Sequence, residues 1–315
     1  MYAKNNRLKG KLRFNSSQSA RRGKKPMKRS TLKTKEGIAM TELQKLKTPE
    51  LLEEVSRRGF ISQKRELNID RTYKWAARKK PFKIGVVSDC HLCSQYQQIT
   101  LLHEAYKIFK AQGIRDVLHC GDLFEGSGKM HRDQLYEMFL IGGDKCVDYA
   151  VKNYPQVEGT KTHIIMGNHD ASIFNDSGID PIARFAEQRK DIDYLGAFSA
   201  TIEIGKIKIQ LMHPDGGVAY ARSYKQQKII EQLATEKKPH ILLIGHYHIT
   251  NILPQYRNVY SILLPCFQIQ TPYLRRKGLN PDVGAVILEI TPDAKGLFSI
   301  KVENLMFYQP IEGDY

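Results

Sequence analysis

The sequence predicts a mixed α/β fold, two packed sheets with helices on their outer faces. Three observations point to it. From Lys83 to about residue 250, short apolar runs alternate with amphipathic stretches. Beyond that the chain reads mostly as strands. Many of the apolar runs are followed by a glycine, a carboxylate or a histidine, at the strand edge where α/β sheets hold ligands.

The elements follow in chain order. Residues 1–35 carry 13 basic and no acidic residues, interrupted by Ser16, Ser17, Ser19, Gly23 and Pro26, so 1–39 reads as a disordered basic tail. Its Arg and Ser content resembles a transit peptide, but the amphipathic stripe is poor. Met40 opens a more ordered segment, and the stretch before it reads as a dispensable extension or an over-called start. Residues 40–80 predict a small module. Thr48 caps a helix with Pro49 at its first turn, Leu51, Leu52 and Val55 form its apolar face, and Gly59 stops it. Ile61, Leu67, Ile69, Tyr73 and Trp75 interleave with basic residues, as in a nucleic-acid-reading hairpin or a linker packed on the main domain with Trp75 buried.

The main domain is assigned to 81–315. Ile84–Val87 is a buried strand, 98–111 a helix, Val117–Leu118 a strand and about 133–150 a helix. Then come strand 162–166, a helix near 180–190, strands around 201–212, a helix at 221–234 and strand 241–244. Strands at 258–264, 284–290 and 298–307 complete it.

Charge is distributed unevenly. Residues 1–80 hold 24 Lys/Arg against 7 Asp/Glu, a net of +17, and the remaining 235 residues sum to −1. Such an arm favours a polyanion, nucleic acid or an anionic membrane surface, or is a solvated tail. No apolar run long enough for a transmembrane helix appears, and the first residues lack a secretory apolar core. Five cysteines without framework spacing suit a reducing, cytoplasmic setting.

The chemistry lies in five short motifs: Asp89-Cys90-His91, Gly121-Asp122, Gly167-Asn168-His169-Asp170, His213, and Gly245-His246-Tyr247-His248. Oxygen and imidazole donors without an obligatory thiolate suit Mn, Fe, Zn and similar ions. If Asp89-x-His91 is extended, its two side chains share one face and one ion, and His246 and His248 can serve one ion or two neighbours. Seven donors are too many for one ion and reasonable for two.

In this order the motifs resemble those of the calcineurin-like metallophosphoesterases, over roughly residues 83–250. The resemblance implies a four-layer α/β/β/α sandwich of the metallo-dependent phosphatase type. It implies two divalent metal ions, manganese ahead of iron, zinc, nickel or magnesium. Asp89, His91 and His248 would hold one metal, Asn168, His213 and His246 the other, and Asp122 would bridge them. His169 would be the general acid, with Asp170 orienting its ring, and a metal-bridging hydroxide would attack phosphorus. Protein phosphatases of the superfamily usually carry an arginine where Gly126 stands and a glutamate where Asp170 stands. The loop looks more like those of nucleases, diesterases and uncharacterised prokaryotic or viral members. The expected function is therefore a phosphodiesterase or nuclease acting on a phosphate ester, with nucleic acid engaged through the basic N-terminal region. The alternatives are a small-molecule or nucleotide phosphatase and a catalytically idle scaffold.

The other histidines, His103, His119, His131, His163 and His240, read as packing or surface residues. Cys90-His91-Leu92-Cys93 lacks the second pair a structural zinc needs, and Cys90 and Cys120 read as small buried neighbours that make the site oxidation-sensitive.

Overall fold

A computed structural model describes residues 70–127 and 135–315. The expectations for the tail 1–39, for the helix after Thr48 and for His131 lie outside the described residues.

Two six-stranded sheets lie face to face. In the first, β2 (Phe82–Val87), β3 (Asp116–His119), β4 (Lys161–Met166) and β5 (Ile192–Ala197) run parallel in that spatial order. The antiparallel pair β11 (Gly284–Pro292) and β12 (Leu297–Met306) continues the sheet from β2. The second sheet has the order β1 (Arg71–Trp75), β6 (Ser199–Ile204), β7 (Ile207–Met212), β8 (Ile241–Ile244), β10 (Val259–Leu263), β9 (Asn251–Tyr256).

Strand periodicity decides which residues meet. Ile84, Val86, Leu118 and Ile165 of the first sheet share a dry cluster with Ile202, Ile209, Leu243 and Ile262 of the second. The alternate residues Val87, Val117 and Ile164 belong to a separate cluster with the helices. Helix α1 (Ile99–Ala111) contributes Leu102, Ala105, Tyr106 and Phe109 at helical spacing. Helices α2 (Gly143–Asn153) and α4 (Pro181–Gln188) add Val147 and Ala150, and Ile182 and Phe185. On the far side, α5 (Tyr224–Gln232) sets Ile230 against Leu242, Ile244 and Leu263. The result is the expected four-layer α/β/β/α sandwich.

Some elements depart from the sequence reading. The helix expected over 133–150 is a short 3₁₀ turn at Leu135–Glu137 and then α2, which begins at Gly143. Gly142 has φ +111°, a backbone state that no right-handed helix continues through. A helix missed by periodicity, α3 (Asn168–Ser177), starts inside the Gly-Asn-His-Asp motif. Strands β5 and β9 were also missed. Strand β1, placed by sequence before the main domain, pairs in parallel with β6. Trp75 is half-buried rather than buried, its ring 4.5 Å from that of His163. The remaining helix, α6 (Pro272–Arg276), is capped by Thr271, whose hydroxyl accepts from the Leu274 amide.

His163 on β4 does structural work across three strands. Its Nδ1 lies 3.0 Å from Asp193 on β5 and its Nε2 3.2 Å from Asp116 on β3. Burial alone would lower its pKa, but the two carboxylates outweigh burial and raise it above 6.5. A raised folded value means that the protonated ring stabilises the fold fully below about pH 6.5, and that this contribution fades as pH climbs through the raised value. In thermal melts of metal-free protein, His163→Gln should be less stable than wild type at pH 6, and the gap should narrow towards pH 8.5. A gap that stays constant or widens would contradict this account.

Candidate metal centre

The motif residues gather at one edge of the paired sheets. Asp89 and His91 follow β2, Asp122 follows β3, Asn168 and His169 open α3 after β4, His213 follows β7, and His246 and His248 follow β8. Asp89, His91, Asp122, His246 and His248 all have positive φ, between 47° and 78°. The Asp89-x-His91 stretch is therefore not extended, as the sequence reading assumed. Left-handed turns aim these side chains, at a cost of about 1–2 kcal/mol per residue. Two glycines make room. Gly121 (φ +91°) would press any Cβ into the His213 ring, and a Cβ on Gly167 would collide with the Asp122 carboxylate.

Two clusters of donors result. In one, His91 Nε2 and His248 Nε2 are 3.0 Å apart, and Asp89 Oδ1 is 3.2 Å from His248 Nε2. In the other, Asn168 Oδ1 is 2.9 Å from both His213 Nε2 and His246 Nδ1, while Asp122 Oδ2 is 3.0 Å from His213 Nε2. Asp89, His91 and His248, and likewise Asp122, His213 and His246, present donor atoms within 4.8 Å of one another.

The outward ring nitrogens fix the tautomers. His213 Nδ1–H donates to the Cys120 carbonyl at 2.6 Å, and His246 Nε2–H donates to the Gly216 carbonyl at 2.7 Å. In the neutral rings the inward nitrogens are then lone pairs facing oxygen. Positive charge at its centre, a proton or a metal ion, satisfies such a set. Both possibilities are visible in the charges. Burial would lower the His213 pKa, but Asp122 lifts it to about 9, and burial is likewise outweighed at His248, which Cys266 and then Asp89 raise. Burial would raise Asp122, but His213 and His169 hold it well below the usual carboxylate range, and His248 does the same for Asp89. His246 is instead lowered, first by burial and then by His213, so its inward nitrogen stays unprotonated. The donor set thus fits divalent cations.

Two further buried carboxylates support the site. Asp170, expected to orient His169, instead accepts from the backbone amides of Gly167 and Phe124 at 2.9 Å and of Leu123 at 3.3 Å. It pins the Asp122 loop to the start of α3, and burial, then the Asp122 charge, pushes it up to about 7. The His169 ring is set by Glu125, whose carbonyl lies 2.6 Å from Nδ1. The Glu125 carboxylate is itself buried, 3.0 Å from His91 Nδ1 although off the line of its N–H, and it accepts from Gln268 at 2.6 Å. Its position three residues after Asp122 was the only sequence signal for this role.

The remaining described histidines make structural contacts. His119 Nδ1 accepts from the Gly121 amide and its Nε2 meets the Cys90 thiol, while His240 Nδ1 accepts from the Lys208 amide. His103 reaches the Asn153 carbonyl. All five cysteines are buried and free.

The family model of the calcineurin-like phosphoesterase superfamily domain matches residues 82–260, more than half the chain. The chain belongs to this superfamily. Solved structures similar to this phosphoesterase domain include a conserved uncharacterized protein (predicted phosphoesterase) from Streptococcus pneumoniae TIGR4. It is 16% identical, with TM-score 0.38 over 72% of this chain and 90% of that one. Vps29 of Chaetomium thermophilum is 12% identical, with TM-score 0.38 over 73% of this chain and 98% of that one. A dimetal phosphatase from Danio rerio is 10% identical, with TM-score 0.40 over 71% and 98%. No curated protein matches the chain. No helix among the described residues is long and apolar enough to cross a membrane.

Outer partners of metal-bound histidines tune affinity by roughly 10–100-fold. Glu125→Gln should therefore weaken Mn binding about tenfold or more in chelator competition, with little change in melting temperature of the metal-free protein. Unchanged affinity would remove Glu125 from the metal centre's support.

Proposed function

We propose that this chain is a binuclear metal-dependent phosphodiesterase, most simply a nuclease. The observation that carries this is the pair of adjacent donor clusters, Asp89 with His91 and His248, and Asp122 with Asn168, His213 and His246, joined where the His246 amide donates to Asp89. Asp89, His91 and His248 would hold one cation and Asn168, His213 and His246 the other, with Asp122 shared. When bound, two such cations, Mn among the candidates, supply charge neutralisation at the phosphoryl oxygens and an activated water.

The chain's own residues supply the rest. The Glu125 carbonyl holds Nδ1–H of His169, which directs Nε2 as the atom that would hand a proton to the leaving oxygen. The His169 amide donates to Asp122 Oδ1 at 2.8 Å, tying the proton donor to the shared carboxylate. The His169 ring also stands edge-on to His91, 4.6 Å between centroids, so the acid lies beside the ligand cluster. The alternative of a small-molecule phosphatase would use the same machinery, and the basic arm favours the polyanion.

Mn-loaded protein should hydrolyse bis(p-nitrophenyl) phosphate faster than the monoester. His169→Ala should lower turnover by about 10²–10⁴-fold while two equivalents of metal stay bound. Loss of metal together with activity would count against the acid role, and full activity would end it. Deletion of residues 1–39, which removes 13 basic residues, should weaken binding to DNA or RNA and flatten its salt dependence. Salt dependence that survives the deletion would detach the arm from substrate capture.

A further inference from the structure

A cleft of about 360 Å³ opens directly from the metal centre. Asp122, Asn168, His169, His246 and His248 form its inner end. Its walls come from two segments, 215–218, whose Gly216 carbonyl also holds His246, and 273–281, which begins within α6. Val218, Ile249, Leu274, Leu279, Pro281 and the ring of Tyr273 make these walls largely apolar. A phosphate alone gains nothing from such surface. The volume falls within the range of small-ligand pockets and suits one flat organic group next to the phosphate.

The segments that form or continue from these walls carry cations and exposed aromatics. On the first side stand Tyr220, fully exposed, then Arg222, the half-exposed Tyr224 and Lys225. Lys225 lies 5.8 Å over the ring of Tyr247, a residue of the cleft, and Arg222 reaches the Thr250 carbonyl and Asp282, next to Pro281. On the other side, α6 presents Arg275 and Arg276, followed by Lys277 over Tyr273 at 5.7 Å. Asp215 is a carboxylate on the cleft lining besides Asp122. Residues 81–315 otherwise lack excess positive charge, so this clustering beside the site is local.

Aromatic faces for stacking, cations for phosphates and a one-base pocket at the reacting phosphate are the chemistry of single-stranded nucleic acid. Duplex bases are stacked inward and cannot enter such a pocket without being extruded. We infer that the cleft and its two loops form a single-strand-binding surface, one base seated between the 215–218 and 273–281 loops while the backbone runs along the Arg222–Lys225 and Arg275–Lys277 rims. This inference rests on the proposed phosphodiester chemistry. It differs from the role of the basic arm, because it places substrate selection in the folded domain.

The test uses the full-length, Mn-loaded chain. A 5-iodouracil-substituted DNA 12-mer is photo-crosslinked, and the modified peptides are mapped by mass spectrometry. Crosslinks in 215–225 or 272–281 are expected, whereas crosslinks confined to residues 1–39 overturn the inference whatever the activity. In parallel, kcat/KM is measured for the 12-mer as single strand and as duplex, for a dinucleotide, for a phosphoserine peptide and for bis(p-nitrophenyl) phosphate. The single strand should exceed duplex and dinucleotide about tenfold. Tyr273→Ala and the double variant Arg275→Ala/Arg276→Ala should each lower the ratio of 12-mer to bis(p-nitrophenyl) phosphate about tenfold, a shift that a general folding defect would not produce. An unchanged ratio, equal use of the duplex, or preference for the peptide overturns the inference. Failure to turn over any diester sinks the phosphodiesterase reading instead, and the crosslink map still decides the surface.

Discussion

Electron pairs that face one another inside a protein must share a positive charge. At this site the inward lone pair of His246 Nδ1 meets Asn168 Oδ1 at 2.9 Å in a mostly buried setting. Lone pairs at that separation repel unless a cation or proton lies among them. Much of the surrounding structure holds these atoms against that repulsion. The Cys120 and Gly216 carbonyls fix two of the ring tautomers, and the His246 amide holds both oxygens of Asp89 at 3.0 Å.

The sandwich makes this convergence possible. Strands β2, β3 and β4 of one sheet and β7 and β8 of the other end at a common edge, and each releases its motif there. The sheets contribute rigidity through a dry interface of Ile, Leu and Val. The loops contribute direction through residues in the left-handed region, each of which a free chain would avoid. Rigid strands thus sustain local strain that loops alone would relax.

Two buried carboxylates outside the proposed ligand set divide the work of support. Asp170 spends its oxygens on backbone amides and so fixes the loop that carries Asp122. Glu125 uses its carbonyl for His169 and its side chain beside His91, which links these two histidines through one residue. Gln268, from the segment after β10, secures Glu125 in turn. The metal centre is thereby coupled to the β-rich half of the chain, beyond the last of the motifs.

The sequence by itself determined the sandwich, its main strands and which motif residues follow the strands that end at one edge. Strand 241–244 and helix 99–111 were legible because period two and period 3.6 are local properties of apolar side chains. The donors were legible because Asp, Asn and His after glycine-marked strand ends are rare combinations with one shared chemistry. Tertiary structure alone decided where α2 begins, which group holds the His169 ring, and how the cleft is walled. A positive φ at Gly142, the reach of the Glu125 carbonyl to His169 and the lining of one cleft by both Val218 and Leu279 have no periodic trace. They arise when segments far apart in the chain are brought together, and a linear pattern carries no record of that distance.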